Sequence, residues 1–181
     1  MKHSLAILAC GLLVTASPAL AQDNALDLKT AEATFVDTDG NELGTVTLTG
    51  TEEGVTIAGT LEGIPEGEHG FHVHETGDCD PANGFEAAGG HFAPRGNEHG
   101  FENENGPHAG DMRNQTAGAD GQLVLNVNND MVSLTEGDEG YLLDDDGSAL
   151  MIHANADDYK TDPGGNSGDR IACAVISATE L

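Results

Sequence analysis

The sequence predicts an all-β domain, a sandwich or barrel of short strands, and three observations carry that reading. Runs of β-branched or alternating apolar residues recur along the chain. Clusters of turn residues and 25 glycines interrupt them. No window sustains a helical period. Residues 30–36 and 43–49 alternate, and Asp37-Thr38-Asp39-Gly40-Asn41 between them is turn chemistry, so the pair forms a hairpin. Residues 55–61 are a third strand, and residues 70–75 a short fourth that carries two histidines. Residues 111–116 and 121–128 read as another hairpin, around Ala119-Asp120-Gly121. Residues 149–154 and 171–177 complete the set. Residues 76–110 and 155–170 are too long and too poor in apolar residues to be ordinary turns. Connections beyond about 12–15 residues are functional or disordered, and these two carry or flank the histidines, which favours function. A third, acidic connection near 135–147 reads as solvated surface.

Residues 1–21 read as a signal peptide rather than as part of the fold. Lys2 gives a positive start, residues 5–14 are an apolar run, and Ala19-Leu20-Ala21 is a small-x-small cleavage site. The run is shorter than the about 20 apolar residues of a membrane-spanning helix. Cleavage after Ala21 removes 21 of 181 residues and leaves 160, residues 22–181, which suits a single domain. The chain is then periplasmic or otherwise exported. A rival reading makes Cys10 a lipidated N-terminus and attaches the protein to a membrane, but the apolar run continues past it to Val14.

Without the leader two cysteines remain, Cys79 and Cys173. An oxidising compartment favours their pairing; the alternative is two free buried thiols. A closed loop of about 95 residues contributes on the order of 4–5 kcal/mol in the chain-entropy model. The charge is lopsided: 6 basic and 32 acidic residues give −26, and loss of Lys2 leaves 5 against 32, or −27. This argues against nucleic acid or an anionic membrane as partner. It also means that an anionic substrate needs a local positive field.

The histidines are not scattered. Apart from His3 there are seven, at 69, 72, 74, 91, 99, 108 and 153, and residues 22–68 contain none. His72-Val73-His74 lies in a strand, so both imidazoles share a face and can chelate one metal. His91, His99, His108 and Asp111 follow in a glycine-rich loop; three imidazoles and a carboxylate suit tetrahedral zinc. His153 ends the strand Ala149-Leu-Met-Ile-His.

Gly70-Phe71-His72-Val73-His74-Glu75, Gly90-His91-Phe92-x-Pro94, His99-Gly100, Pro107-His108-Ala109-Gly110-Asp111 and Gly168-Asp169-Arg170-Ile171-Ala172-Cys173 together resemble the copper–zinc superoxide dismutases, the exported bacterial type in particular. The motifs occur in family order and span about residues 30–177. The resemblance implies a Greek-key β-barrel or sandwich of about eight antiparallel strands with two long functional loops. It implies one copper and one zinc per subunit. His72, His74, His91 and His153 would hold copper, and His91, His99, His108 and Asp111 zinc, so that His91 bridges. Asp157 would link ligands of both metals, and His69 would be structural. Arg170 would orient the substrate and His91 carry a proton; Lys160 is a second candidate for steering.

The activity implied is dismutation of superoxide to oxygen and hydrogen peroxide by copper redox cycling, an antioxidant role in which zinc is structural and tunes the bridging imidazole. Family members are monomers or homodimers. Two departures stand out: Cys79 follows His74 by only five residues, and the segment from His153 to Arg170 is short beside eukaryotic members. The main rival is an exported copper and zinc buffer or delivery protein without turnover, which needs neither a bridging imidazole nor a nearby arginine. A two-zinc hydrolase would commonly use bridging carboxylates, and here only Asp111 fits a ligand role. An immunoglobulin-like adhesion domain explains the strands and leaves the histidines unexplained.

Overall fold

The computed structural model describes residues 29–179. The expected leader and Cys10 lie outside them. Strands β1 (Thr30–Asp37), β2 (Glu42–Thr51) and β3 (Gly54–Leu61) form an antiparallel meander. The first turn is tied by the Asp37 carboxylate, which accepts from the N–H groups of Asp39 at 2.9 Å and Asn41 at 2.8 Å. The chain then crosses to form β4 (Gly67–His69) and β5 (Phe71–His74), continues to β6 (Gln115–Ala117), and returns with β7 (Leu123–Asn129). Strands β8 (Ala149–His153), β9 (Arg170–Val175) and β10 (Ser177–Ala178) follow. The main sheet runs β5-β8-β9-β1-β2-β3-β7, with β10 also on β1, and β4 pairs with β6 apart from it. Sequence neighbours that are not sheet neighbours, β3 to β4 and β7 to β8, make the Greek-key crossings.

The expected hairpin of residues 111–116 with 121–128 is corrected. The turn exists, since Gly118 N–H donates to Gln122 O at 2.9 Å, but β7 pairs along its whole length with β3 and β6 pairs with β4. The turn joins two sheets rather than two partners. Burial decides this: pairing with β3 puts Leu123 and Leu125 into the core beside Val55, Ile57 and Leu61. The expected strand 70–75 is present as β5, one residue shorter at each end; Gly70, whose N–H donates to Asn155 O at 2.8 Å, separates it from β4.

Alternation sets the core. On β1, Ala31, Ala33 and Phe35 are buried and Glu32 and Thr34 are exposed. These join Val46, Leu48, Phe71, Val73, Leu150 and Ile152 in the larger cluster. Each fully buried side chain of this size contributes about 1.5–3 kcal/mol. A smaller cluster of Phe85, Ala88, Ala149, Met151 and Cys173 lies on the other face of β8 and β9. It holds the start of the long loop, where two 3-10 turns, Pro81–Asn83 and Glu86–Ala88, give residues 76–110 internal structure.

Candidate metal centre

Two residues apart on β5, His72 and His74 face away from Phe71 and Val73, which enter the core. β5 is an edge strand, and the long loop covers its open side through isolated bridges between His72 and Asp111 and between His74 and His91. Gly110 belongs to this seam: its carbonyl accepts from Val73 N–H at 2.9 Å, and a Cβ there would strike Val73 O. His153 ends β8 where the register against β9 slips, and the slip pairs it with Arg170. A bulge of this kind re-aims side chains, and both residues line one cleft of about 490 Å³.

The seven residues converge in two groups. His72, His74, His91 and His153 form one; His91, His99, His108 and Asp111 form the other. Within each group one donor atom per residue lies within 4.8 Å of all the rest, and every member is buried. His91 is common to both.

The ring nitrogens divide into two sets. The outward ones have protein partners: His72 Nε2 with Asp157 Oδ2 at 2.7 Å, His74 Nδ1 with Gly89 O at 3.0 Å, His153 Nδ1 with Gly168 O at 3.1 Å, and His99 Nε2 with Asp157 Oδ1 at 3.0 Å. The inward ones, His72 Nδ1, His74 Nε2, His153 Nε2 and His108 Nδ1, are buried without a hydrogen-bond partner. A nitrogen that donates outward leaves its partner nitrogen with a lone pair. In the second group Asp111 Oδ1 lies 2.8 Å from His91 Nδ1, 3.0 Å from His99 Nδ1 and 3.4 Å from His108 Nδ1. Ligands about 2.0–2.1 Å from a tetrahedral zinc are about 3.3 Å apart, so these spacings nearly match. Asp111 Oδ2 is held by the N–H groups of Gly100 at 2.9 Å and His108 at 3.0 Å, which leaves Oδ1 facing the rings.

Burial lowers the His72 imidazole to about 3 and His153 to about 4, and takes His74 well below the ordinary value; the neighbouring rings add to it. Burial also lowers His91. These rings are therefore neutral near pH 7, as metal ligation requires. His99 moves the other way, to about 9: burial disfavours its charge, but Asp111 and Asp157 against its two nitrogens prevail. Burial alone would raise both carboxyls, yet the imidazoles around them hold both far below the usual range. Two buried carboxylates flanking one ring demand positive charge there, which a proton or a divalent ion supplies.

Arg170 reaches across to the long loop, donating from Nη1 to Phe85 O at 2.5 Å and from Nη2 to Gly89 O at 2.6 Å. Phe85 sits in the left-handed region at φ 63. Cys79 and Cys173 are joined by a disulfide with Cα atoms 5.6 Å apart. Cys173 is three residues after Arg170 on the same strand, so the bridge ties the loop beside that arginine. His69 lies in neither group; its Nδ1 is 2.8 Å from His153 O and its Nε2 2.8 Å from Pro65 O. Lys160 is exposed and paired with Glu102 at 2.8 Å, so its charge is largely offset.

Sequence reasoning missed the carbonyls of Phe85 and Gly89, which residue type cannot reveal. It also missed Asn114. That side chain donates to Asp157 O at 3.0 Å and accepts from Asp157 N–H at 2.8 Å. Its place three residues after Asp111 was the only available signal.

A family profile described as copper/zinc superoxide dismutase matches residues 42–176. The chain belongs to the copper/zinc superoxide dismutase family. It is 43% identical to superoxide dismutase [Cu-Zn] 2 of Aquifex aeolicus over 97% of this chain and 99% of that one. It is 41% identical to the superoxide dismutase [Cu-Zn] of Caulobacter vibrioides over 76% and 80% of the two chains. The crystal structure of a superoxide dismutase-like protein from Bacillus subtilis superposes with a TM-score of 0.76 at 41% identity, covering 80% of this chain and 96% of that one. The cofactors of this family are copper and zinc, and the donor sets fit them: an all-imidazole group for copper, and three imidazoles with one carboxylate for zinc.

Proposed function

We propose that the chain catalyses the dismutation of superoxide, two superoxide ions and two protons giving oxygen and hydrogen peroxide. The observation that carries this reading is His91 standing in both donor groups at once. His72, His74, His91 and His153 would hold copper, and His91, His99, His108 and Asp111 would hold zinc. Copper supplies one-electron redox chemistry, and zinc supplies a fixed charge without redox.

The chain's own residues then have distinct tasks. With Nδ1 turned to Asp111, the Nε2 of His91 is the atom able to take and give a proton. Asp157 orients His72 and His99 together, as partners behind metal ligands do. Gly89 O and Gly168 O fix the planes of His74 and His153. Arg170 offers a permanent positive charge at the mouth of a cleft in a strongly acidic protein, and this is the local field an anion needs. Lys160, already paired, adds little.

Metal-loaded mature protein should accelerate superoxide decay, with stoichiometric copper and zinc by elemental analysis and loss of activity on copper chelation. Full metal occupancy without faster decay would instead identify a buffer or delivery protein. We further propose that residues 1–21 are removed on export and that residues 22–181 form the mature domain. The intact mass of protein recovered from the periplasm should begin at Gln22; a mass beginning at Cys10 with added lipid would replace this by membrane attachment.

A further inference from the structure

A layer of contacts behind the donor groups joins the segment around residues 99–114 to the segment around residue 157. Arg113 is exposed, two residues past Asp111. Its guanidinium carbon lies 4.4 Å from the ring centre of Phe101 and 5.1 Å from that of Tyr159, and the two rings meet edge to face at 5.9 Å. A cation within about 6 Å of an aromatic face is attracted to it. In so acidic a chain a carboxylate partner would be the ordinary fate of an exposed arginine. Among the described residues the exposed cations found in ion pairs are Arg95, with Glu139, and Lys160, with Glu102; Arg113 is in neither.

Tyr159 is held in the left-handed region at φ 61, which a tyrosine keeps only when its surroundings enforce it. In that conformation its N–H donates to Asp157 Oδ1 at 2.6 Å and its carbonyl accepts from Glu102 N–H at 2.9 Å. Its phenol oxygen accepts from Asn114 N–H at 2.9 Å, and Asn114 in turn clasps the Asp157 backbone. The Tyr159 carbonyl stands where a Cβ on Gly100 would go, next to His99. The turn at Tyr159 thus touches the backbone beside His99 and fixes the carboxylate that joins His72 to His99.

We propose that Arg113, lying across Phe101 and Tyr159, is a positioning residue that seats the Tyr159 turn, keeps Asp157 aligned between His72 and His99, and so governs zinc retention and the copper environment. The inference rests on the two-metal reading above. Its test compares wild type, Arg113→Ala, Arg113→Lys and, as a control for lost charge at an exposed ion pair, Arg95→Ala. Each is loaded with copper and zinc. The readouts are the rate of zinc transfer to excess chromogenic chelator and the copper electron paramagnetic resonance spectrum.

Arg113→Ala should release zinc about tenfold faster, the lower end of the effect of removing a partner behind metal ligands, with an altered copper spectrum. Arg95→Ala should match wild type. Arg113→Lys keeps a cation over the rings and should recover at least half of the loss on a logarithmic scale. Zinc release from Arg113→Ala within twofold of Arg95→Ala, an unchanged copper spectrum, or a lysine variant no better than alanine would each overturn the proposal, even if the melting temperature falls. A wild-type chain that does not bind one copper and one zinc would overturn the metal reading itself, and this inference with it.

Discussion

Arg170→Glu should slow superoxide decay by about 100-fold at low ionic strength while leaving copper and zinc content unchanged. The magnitude lies within the roughly 10–10³ range over which local fields alter the encounter of small charged substrates. The guanidinium lines the same cleft as His74, His91 and His153, and only two of its nitrogens are engaged, by Phe85 O and Gly89 O. Reversal of its charge removes the positive field and places a carboxylate against two carbonyl oxygens. Arg170→Lys separates the two contributions. It keeps the charge but loses the planar fork, and a loss of about tenfold or less is expected from it. Decay rates by stopped flow, with metal analysis on the same samples, check both. A glutamate variant as fast as wild type would remove Arg170 from the mechanism.

The second large effect concerns the disulfide. Replacing both Cys79 and Cys173 by serine should destabilise the metal-free protein by about 4–5 kcal/mol, the chain-entropy value for a long loop. The bridge spans 94 residues of sequence. Typical domains are stable by only about 5–15 kcal/mol, so the loss would leave the metal-free variant close to unfolding at growth temperature. Urea midpoints on metal-free wild type and variant measure it directly. An unchanged midpoint would mean that the Phe85, Ala88, Ala149 and Met151 cluster holds the loop without the bridge. A loss of activity in the metal-loaded variant is expected as well, because the tethered loop supplies the carbonyls that hold Arg170.

Much of this architecture was legible in the chain. Alternation in residues 30–36, 43–49 and 55–61 identified three strands whose observed ends differ by no more than two residues, because one face of each must be buried. The histidines were legible because spacing on a strand dictates a shared face, and because a glycine-rich loop with three imidazoles and an acid has few other uses. What was not legible is non-local. Nothing in residues 111–128 says that one flank of the turn pairs with β4 and the other with β3; that depends on where Leu123 and Leu125 find apolar neighbours. Lys160 looked like a free charge, and its partner Glu102 lies 58 positions away, in another loop. The Asn114 clasp and the Arg113 stack consist of residue types common on any surface, so only their placement gives them meaning.

The carbonyl of Gly89 accepts from both His74 Nδ1 and Arg170 Nη2. On the proposed roles, one oxygen atom is the hinge pin for a metal-binding ring and for the guanidinium that greets the incoming anion. Neither can be adjusted alone. A loop substitution that moves this oxygen would tilt the imidazole plane and swing the arginine together, so redox tuning and capture should drift in concert among variants of this segment. Compensation for such a change would have to come from β9 or β5 rather than from the loop itself.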